Sequence, residues 1–201
     1  MSSYLDVTYG NKPKTDYPLK LTKYLKDRYD IKGKLLDLGC GLGDHVRGFS
    51  KLGVIAVGVD RKDFDFDKPP FPYVSDTFDF VFTKSVLEHF YYPEQLVSEI
   101  YRILKPTGAI IAMVPEWGTH FYEDYTHRTA FTVSSLRDLL LVEGFTNVET
   151  ERFRQLPFLW QRPWLKFVSV LAKYVPIKCK LVRFSNEFMV LGSGTKPRGW
   201  V

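Results

Sequence analysis

Three glycines at alternate positions mark the stretch in which chemistry is easiest to recognise. Gly39, Gly41 and Gly43 follow a short apolar run and the carboxylate of Asp37, in the sequence LLDLGCGLGDH. Glycine is needed where the backbone takes a positive φ or where another molecule approaches the main chain closely. A second acid, Asp60, ends the next apolar run about twenty residues later, where a carboxylate suits the paired hydroxyls of a ribose. These residues predict a site for a nucleoside-containing ligand.

The spacing of the glycines and the acids around them narrow the class of ligand. Turns that bind dinucleotides have the pattern G-x-G-x-x-G, whereas this turn reads G-x-G-x-G and is followed by Asp44. A carboxylate beside a pyrophosphate is repulsive, and Asp37 places another one just before the turn. The sequence therefore favours a ligand with ammonium and sulfonium groups over a nicotinamide dinucleotide.

Titratable side chains concentrate in two stretches that follow apolar runs, KSVLEHFYY and PEWGTHFYEDYTHRTAF. In the second stretch, His127 could take a proton from an incoming hydroxyl or amine, because imidazole is the side chain that titrates nearest neutral pH. Glu88, in the first stretch, is the alternative base, and Arg128 could hold an acidic group of the substrate. Asp124 and Tyr125 could orient the imidazole. The alternative is a covering loop whose polar side chains only cap neighbouring groups.

No metal site is predicted from the sequence. His89, His120 and His127, with the acids near them, have none of the ligand spacings of known metal sites. The two cysteines, Cys40 and Cys179, are far apart in sequence and form no metal-binding pair. They indicate a reduced, cytoplasmic setting.

The composition is that of one soluble globular domain. The chain has 201 residues, of which 45% are hydrophobic and 25% charged. Its first residues lack the apolar run of a secretory signal, and no apolar stretch is long enough to cross a membrane. We therefore expect a cytoplasmic protein with an N-terminal helix and lid (1–32), a core (33–155), a helical insertion (156–184), and a last strand with a tail (185–201).

Short apolar runs alternate with amphipathic patterns of helical period along most of the chain. Helices are predicted over 16–29, 44–53, 93–105 and 132–144, and strands over 34–38, 54–60, 78–83, 109–114, 146–153 and 183–193. This alternation is typical of an α/β fold with a doubly wound, mostly parallel sheet covered on both faces. In such a fold, ligands bind beyond the carboxyl ends of the strands. The glycine-rich turn is expected at that edge.

Three blocks, in order along the chain, resemble the class I S-adenosylmethionine-dependent methyltransferases. LLDLGCGLGDH resembles their first motif, VGVD their second, and DTFDFVFTKSVLEHFYYPEQLVSEIYRILKPTGAIIAMVP the block from their fourth strand to their fifth. The resemblance covers roughly residues 33–150 and implies a Rossmann-like methyltransferase fold with S-adenosylmethionine as cofactor. It implies that the three glycines approach the amino-acid end of the cofactor and that Asp60 binds the ribose. By the same resemblance, Asp37 would orient the turn or accept a hydrogen bond from the cofactor's ammonium group. Thr83 is also assigned to cofactor binding.

The chain departs from the family between Asp60 and the third block. A full helix and the family's third strand are expected there, but only RKDFDFDKPPFPYVSD is present. We predict a stub of that strand at residues 62–67, with the helix deleted. By the resemblance, Asp65 would hold the adenine amino group and Phe66 would lie beside the ring, with Asp67 as the alternative acid. The adenine pocket is expected to be shallow, so that cofactor binding is weak or completed by a partner.

Residues 156–184 lie where the family has a simple link between its last two strands, and they predict an insertion with an amphipathic helix. Residues 151–201 contain ten Lys or Arg and two Asp or Glu, a net charge of +8, whereas residues 1–150 carry −3. Tryptophan and lysine on such a helix are typical of a helix docked on protein or of one lying on a membrane surface. Both partners are kept as alternatives.

The sequence thus predicts S-adenosylmethionine-dependent methyl transfer to a small-molecule or saccharide acceptor. The stretch 115–160 resembles methyltransferases of bacterial surface-glycan biosynthesis. One alternative is a nucleic-acid methyltransferase, suggested by the basic C-terminal quarter, but FDFVFTKS is not followed by an Asn-Pro-Pro-aromatic motif. A nucleic-acid partner is therefore not expected. The other alternative is a non-catalytic nucleoside-binding module that kept the fold.

Overall fold

Six strands form one mixed sheet in the computed structural model, which describes residues 16–118, 121–154 and 188–198. The strands of this described part are β1 (Lys34–Leu38), β2 (Ile55–Val59), β3 (Phe78–Lys84), β4 (Leu104–Pro115), β5 (Thr146–Arg154) and β6 (Phe188–Thr195). Their order is β2-β1-β3-β4-β6-β5. The first four are parallel, and β6 runs antiparallel to both β4 and β5. The predicted mostly parallel sheet is confirmed.

Helices cover both faces of this sheet, as predicted. They are α1 (Tyr17–Tyr29), α2 (Asp44–Lys51), α3 (Pro93–Ile103) and α4 (Val133–Val142), with short 3-10 turns at Leu87–His89 and Phe121–Glu123. On one face, Leu21 and Leu25 of α1 and Phe49 of α2 pack with Leu35 and Phe82 of the strands. On the other face, α3 and α4 bury apolar side chains against β1, β3 and β4: Leu96, Val97, Ile100, Leu136 and Leu140. The fold is therefore doubly wound.

Local signals in the sequence explain where several helices begin and end. Thr132 caps α4, because its side chain accepts the backbone N–H of Ser135 while the Ser135 hydroxyl accepts the N–H of Thr132. Helix α3 ends at Ile103, and β4 begins at once at Leu104, which pairs with Phe78 of β3. The helix therefore stops two residues before the predicted end at Lys105, and the strand starts before the predicted residue 109. Pairing with the first residue of β3 decides this boundary.

The predicted stub of a third strand at 62–67 is wrong. Residues 61–77 form turns and bends, and β2 is one of the two edge strands of the described sheet. Phe64, Phe66 and Phe71 turn inward together, with ring centroids 5.0 to 5.9 Å apart. Glu99 of α3 accepts the backbone N–H of Phe71 at 2.8 Å, and Arg102 donates to the Phe71 carbonyl at 3.2 Å. These contacts hold the segment on α3, so that it does not extend along the sheet edge.

The predicted insertion at 156–184, its docking or membrane contact and residues 1–15 of the predicted lid lie outside the described residues. Helix α1 packs into the core, where Leu21 and Leu25 are fully buried. Among the helices of the described residues, none is both long enough and apolar enough to span a membrane.

Candidate active site

The glycine-rich turn joins β1 to α2 at the carboxyl edge of the sheet. Gly39, Gly41 and Gly43 all have positive φ, of 81°, 53° and 75°. At Gly39 a Cβ atom would lie 2.2 Å from Val86 Cγ2, so a larger residue would clash with the segment after β3. At Gly41 a Cβ atom would meet nothing within 4 Å. The main chain at Gly41 therefore faces open space, as expected where a ligand approaches the backbone.

Asp60 follows β2 and braces this turn. Its Oδ2 accepts the backbone N–H of Gly41 at 2.7 Å, and its Oδ1 accepts the N–H of Arg61 at 2.8 Å. Its own N–H donates to Asp63 Oδ2 at 2.8 Å. A carboxylate has lone pairs for further donors, so the predicted contact with ribose hydroxyls is compatible with these bonds. That contact stays a prediction.

Asp37 lies near the end of β1 and is buried, with 1% of its surface exposed. Burial and the nearby Asp60 raise the pKa of Asp37 to about 7, while the charge of Lys84 lowers it. Asp37 Oδ2 makes no hydrogen bond to any described residue, and the same holds for the buried Oγ1 of Thr83 on β3. Such atoms cost about 1–3 kcal/mol each when they stay unpaired. A ligand with donor groups, above all an ammonium group, would satisfy Asp37.

His45 lies in the first turn of α2. Its ring packs edge-on against Phe82 with centroids 5.4 Å apart, and its Nε2 is buried without a hydrogen bond to any described residue. Burial and the charge of Lys84 lower the pKa of His45 to about 3. The imidazole is therefore neutral at physiological pH. His45 thus adds no positive charge beside the glycine turn.

A second group of residues lies after β3 and β4, at the same edge of the sheet. The backbone carbonyl of Glu88 accepts the N–H groups of Arg128 and Thr129 at 2.7 and 3.0 Å. The N–H of Trp117 donates to the Phe131 carbonyl at 2.7 Å, which closes the base of the loop after β4. These bonds hold the loop against the end of β3. They bring together Glu88 and His127, the two candidate bases.

Glu88, His89 and His127 form a compact cluster. Glu88 is fully buried, and the side chains of His89 and His127 are 19% and 12% exposed. The Nε2 atoms of both histidines lie 3.9 Å from Glu88 Oε1, and the ring centroids are 5.0 Å apart. Burial and the neighbouring His127 lower the pKa of His89. The two candidate bases, His127 and Glu88, therefore lie in contact range of each other and of a second histidine, His89.

Asp124 and Tyr125 do not hold the His127 ring in the way the sequence suggested. His127 Nδ1 is 2.6 Å from the Phe121 carbonyl oxygen, to which it donates. Asp124 Oδ1 accepts the N–H and the hydroxyl of Thr126 at 2.9 and 2.6 Å, while its Oδ2 is 3.9 Å from His127 Nε2. The Tyr125 side chain is 80% exposed. The backbone of the loop, through Phe121, orients the ring.

Arg128 and Arg61 place two positive charges beside this cluster. The Arg128 guanidinium lies 5.3 Å from the centre of the Tyr91 ring, and that of Arg61 lies 5.2 Å from the centre of the Phe90 ring. Arg128 Nη1 donates to the Tyr125 carbonyl at 2.9 Å, and the residue is exposed. Arg61 was not singled out from the sequence. Both guanidinium groups are exposed next to the candidate bases, and that of Arg61 also forms an ion pair with Asp67 at 2.7 Å.

The residues predicted for the adenine side lie on the 61–77 segment. Asp65 accepts the N–H of Asp67 at 3.0 Å and pairs with Lys68 at 3.1 Å, and these contacts lower the pKa of Asp65. Phe66 is 4% exposed and packs in the aromatic cluster with Phe64. Phe66 and Asp67 also line a cavity of about 200 Å³ with Phe90, Tyr91, Tyr92, Gln95 and Leu96. Their contact with adenine stays a prediction.

His89 and Thr126 are the functional candidates that sequence reasoning placed least well. In the sequence, His89 belongs to no known metal-ligand pattern, and nothing singles out Thr126. The two residues are 37 positions apart, and Thr126 Oγ1 lies 2.9 Å from His89 Nδ1. No short motif spans that separation. The sequence feature that points to this region is the density of histidines and acids in the two loops that follow β3 and β4.

The chain is similar in sequence to a known protein family and to a curated protein. The family model described as "Methyltransferase domain" matches residues 14–150. Phosphoethanolamine N-methyltransferase 2 of Caenorhabditis elegans is 24% identical over 173 residues, which make up 70% of this chain and 39% of that protein. The chain thus spans about two fifths of the length of this curated relative.

Solved structures agree with the fold. An S-adenosylmethionine-dependent methyltransferase from Archaeoglobus fulgidus has a TM-score of 0.60 and 19% identity, with 89% of this chain and 94% of that chain covered. Phosphoethanolamine N-methyltransferase 2 of Haemonchus contortus, with phosphomonomethylethanolamine and S-adenosylhomocysteine, has a TM-score of 0.59 and 21% identity, with 89% and 52% covered. The family model matches more than half of the chain and includes the glycine turn, Asp60 and the strand after which Glu88 lies. The chain therefore belongs to the methyltransferase domain family, and the predicted resemblance to the class I S-adenosylmethionine-dependent methyltransferases is confirmed.

Proposed function

We propose that the protein transfers the methyl group of S-adenosylmethionine to a hydroxyl or amine of a small polar acceptor. One observation carries this proposal: β1 and β3 are hydrogen-bonded neighbours, and β1 ends in the glycine turn while β3 ends in the segment with Glu88. In a parallel pair, both carboxyl ends lie at the same edge of the sheet. Groups suited to the cofactor and groups suited to the acceptor are therefore side by side.

The residues of the turn fit the cofactor. Gly41 offers its main chain to open space, and the buried Asp37 and Thr83 carry polar atoms that bond to no described residue. Asp60 would hold the ribose, and Asp37 the ammonium group of the amino-acid part. The cofactor supplies a methyl carbon on a positively charged sulfur, which a nucleophile displaces directly. Positioning the two reactants in line can supply roughly 7–11 kcal/mol of the barrier.

His127 is proposed to remove the acceptor's proton. Its Nδ1 donates to the Phe121 carbonyl, so the neutral ring carries its proton there and has a lone pair on Nε2. The buried carboxylate of Glu88, 3.9 Å from Nε2, would stabilise the imidazolium that forms. A positioned base of this kind contributes roughly 10²–10⁴ in rate. Glu88 is the alternative base.

The acceptor is proposed to be small and to carry an anionic group. Arg61 and Arg128 place their guanidinium groups against the adjacent rings of Phe90 and Tyr91. Arginine binds carboxylate and phosphate groups through paired hydrogen bonds. The relatives named above include phosphoethanolamine methyltransferases, whose named acceptor is a small phosphorylated amine. An anionic saccharide of surface-glycan biosynthesis is the other acceptor class within this proposal.

Transfer from labelled S-adenosylmethionine to a panel of acceptors tests the proposal. We expect methylation of phosphoethanolamine or of another small phosphorylated or acidic compound, and no transfer to RNA or DNA. Calorimetric titration with S-adenosylmethionine is measured alongside. Absence of cofactor binding at millimolar concentration would contradict the enzymatic proposal and favour a non-catalytic module. Preferential labelling of nucleic acid would contradict the proposed acceptor class.

Arg128→Ala is expected to raise KM for an anionic acceptor by roughly tenfold or more. A hydrogen bond to a charged group contributes about 1.5–3 kcal/mol, and 1.4 kcal/mol corresponds to a factor of ten. Arg137→Ala is the matched control, because Arg137 is also exposed but lies on α4 beside a different cleft. Steady-state kinetics with the acceptor found in the panel measure the effect. An equal KM for both variants would remove Arg128 from the acceptor site.

A further inference from the structure

We propose that Glu88, His89 and His127 bind a divalent transition-metal ion. One carboxylate oxygen and one imidazole nitrogen from each histidine all lie within 4.8 Å of one another. The three residues come from two different segments, the turn after β3 and the loop after β4. Their proximity therefore depends on the fold, and the absence of a known spacing in the sequence does not argue against a site.

The hydrogen bonds of the two rings direct both lone pairs inward. His127 Nδ1 donates to the Phe121 carbonyl at 2.6 Å. His89 Nδ1 lies 2.9 Å from Thr126 Oγ1, and that hydroxyl already donates to Asp124 Oδ1 at 2.6 Å, so its oxygen accepts from the ring. Each neutral imidazole thus carries its proton on Nδ1 and its lone pair on Nε2. Two nitrogen lone pairs and a carboxylate point at one another.

Hydrogen bonds among the three groups do not explain this convergence. Both Nε2 atoms are 3.9 Å from Glu88 Oε1, beyond the 3.2 Å limit of an ordinary N–H···O bond. A positive ion between the three atoms turns three mutually facing acceptors into ligands. Metal–ligand distances of about 2.0–2.2 Å require the three atoms to lie closer together in the ion-bound form than they do here.

The surroundings have the features of a metal site. Histidine ligands commonly donate their other ring N–H to a carbonyl or to a group held by a carboxylate. Here Phe121 supplies the carbonyl for His127, and Asp124 holds the Thr126 hydroxyl for His89. Glu88 is fully buried, and buried carboxylates are favourable when they are paired or coordinate a metal. The partial exposure of both histidines leaves a path for an ion.

The donor set selects the class of ion. Two imidazoles and one carboxylate suit Zn²⁺, Co²⁺ and Fe²⁺, and they leave positions open for water or for an acceptor. Mg²⁺ prefers oxygen ligands and is expected to bind far more weakly.

This inference goes beyond the proposed function and changes the role of one residue in it. A histidine that coordinates through Nε2 has no lone pair left to take a proton. The ion would then lower the pKa of a bound acceptor hydroxyl, as bound metal ions do for water. Ion binding can be measured without any methyl transfer, so a failure of the metal proposal and a failure of the methyltransferase proposal are separate results.

The experiment titrates Co²⁺ and Zn²⁺ into the full chain, produced without a polyhistidine tag and treated with EDTA. We expect one ion per chain by calorimetry, visible ligand-field bands for Co²⁺, displacement of those bands by Zn²⁺, and no competition from Mg²⁺. Weak binding of several ions without ligand-field bands would overturn the proposal.

Variants then locate the ion. Glu88→Gln and His89→Ala are each expected to weaken binding by about 10²-fold or more, since loss of an outer partner alone costs 10–100-fold. His45→Gln is the matched control, because His45 is a partly buried histidine at the glycine turn. Circular dichroism confirms that each variant is folded. Glu88→Gln has nearly the same shape as the wild type, so equal affinity in that variant would overturn the assignment.

Discussion

His127→Ala is expected to lower turnover by roughly 10²–10⁴, the range for loss of a general base, with S-adenosylmethionine affinity changed no more than a few-fold. His127 lies on the loop after β4, and its Nε2 is 3.9 Å from the buried Glu88 carboxylate. The glycine turn after β1 is a separate segment. Calorimetry gives the cofactor dissociation constant, and single-turnover measurements with the acceptor give the rate.

Two outcomes would change the assignment of His127. A normal rate of methyl transfer in His127→Ala would make His127 part of the loop only, and the role of base would pass to Glu88. A comparable loss of turnover in the wild type after treatment with EDTA, restored by Zn²⁺ or Co²⁺, would show that His127 acts as a ligand. Thermal unfolding of the variant is the control for folding.

Asp60→Ala is expected to raise the dissociation constant for S-adenosylmethionine by at least about tenfold, because a bond to a charged group contributes about 1.5–3 kcal/mol. Asp60 Oδ2 holds the N–H of Gly41 at 2.7 Å. The substitution removes both this brace and the proposed ribose contact. Calorimetric titration measures the change.

Asp79→Ala is the matched control for that variant. Asp79 Oδ2 also accepts a backbone N–H, that of Lys34 at 2.8 Å, but at the start of β1 and so at the opposite edge of the sheet. We expect it to lower the free energy of unfolding without changing cofactor affinity. Equal affinity in Asp60→Ala and the wild type would exclude Asp60 from the cofactor site.

Gly41→Val gives a steric version of the same test. Gly41 and Gly53 both have positive φ, of 53° and 82°, and a Cβ atom at either position would meet nothing within 4 Å. Valine should therefore strain the backbone at both sites, but only at Gly41 would it fill the space proposed for the cofactor. Loss of cofactor binding in Gly53→Val as well would attribute the effect to folding alone.

The sequence by itself determined the elements and the cofactor edge of this protein. Alternating apolar runs and helical patterns are local properties, and they predicted β1, α1 and the capped helix after Thr132 within a residue or two. The glycine turn was equally readable, since Gly39, Gly41 and Gly43 all take the positive φ that their spacing suggested. The three motifs that resembled methyltransferases lie within the match to the family model.

Only the tertiary structure decided where the 61–77 segment goes and which groups meet at the acceptor side. The segment contains residues that favour a strand. However, Glu99 and Arg102 of α3 bind its backbone and its phenylalanines pack inward, so no strand forms between β2 and β3. Burial of Asp37 and the cluster of Glu88 with two histidines likewise depend on contacts between distant segments. The backbone carbonyl of Glu88 binds a loop 40 residues further along, and no periodicity or short motif records a bond over that separation.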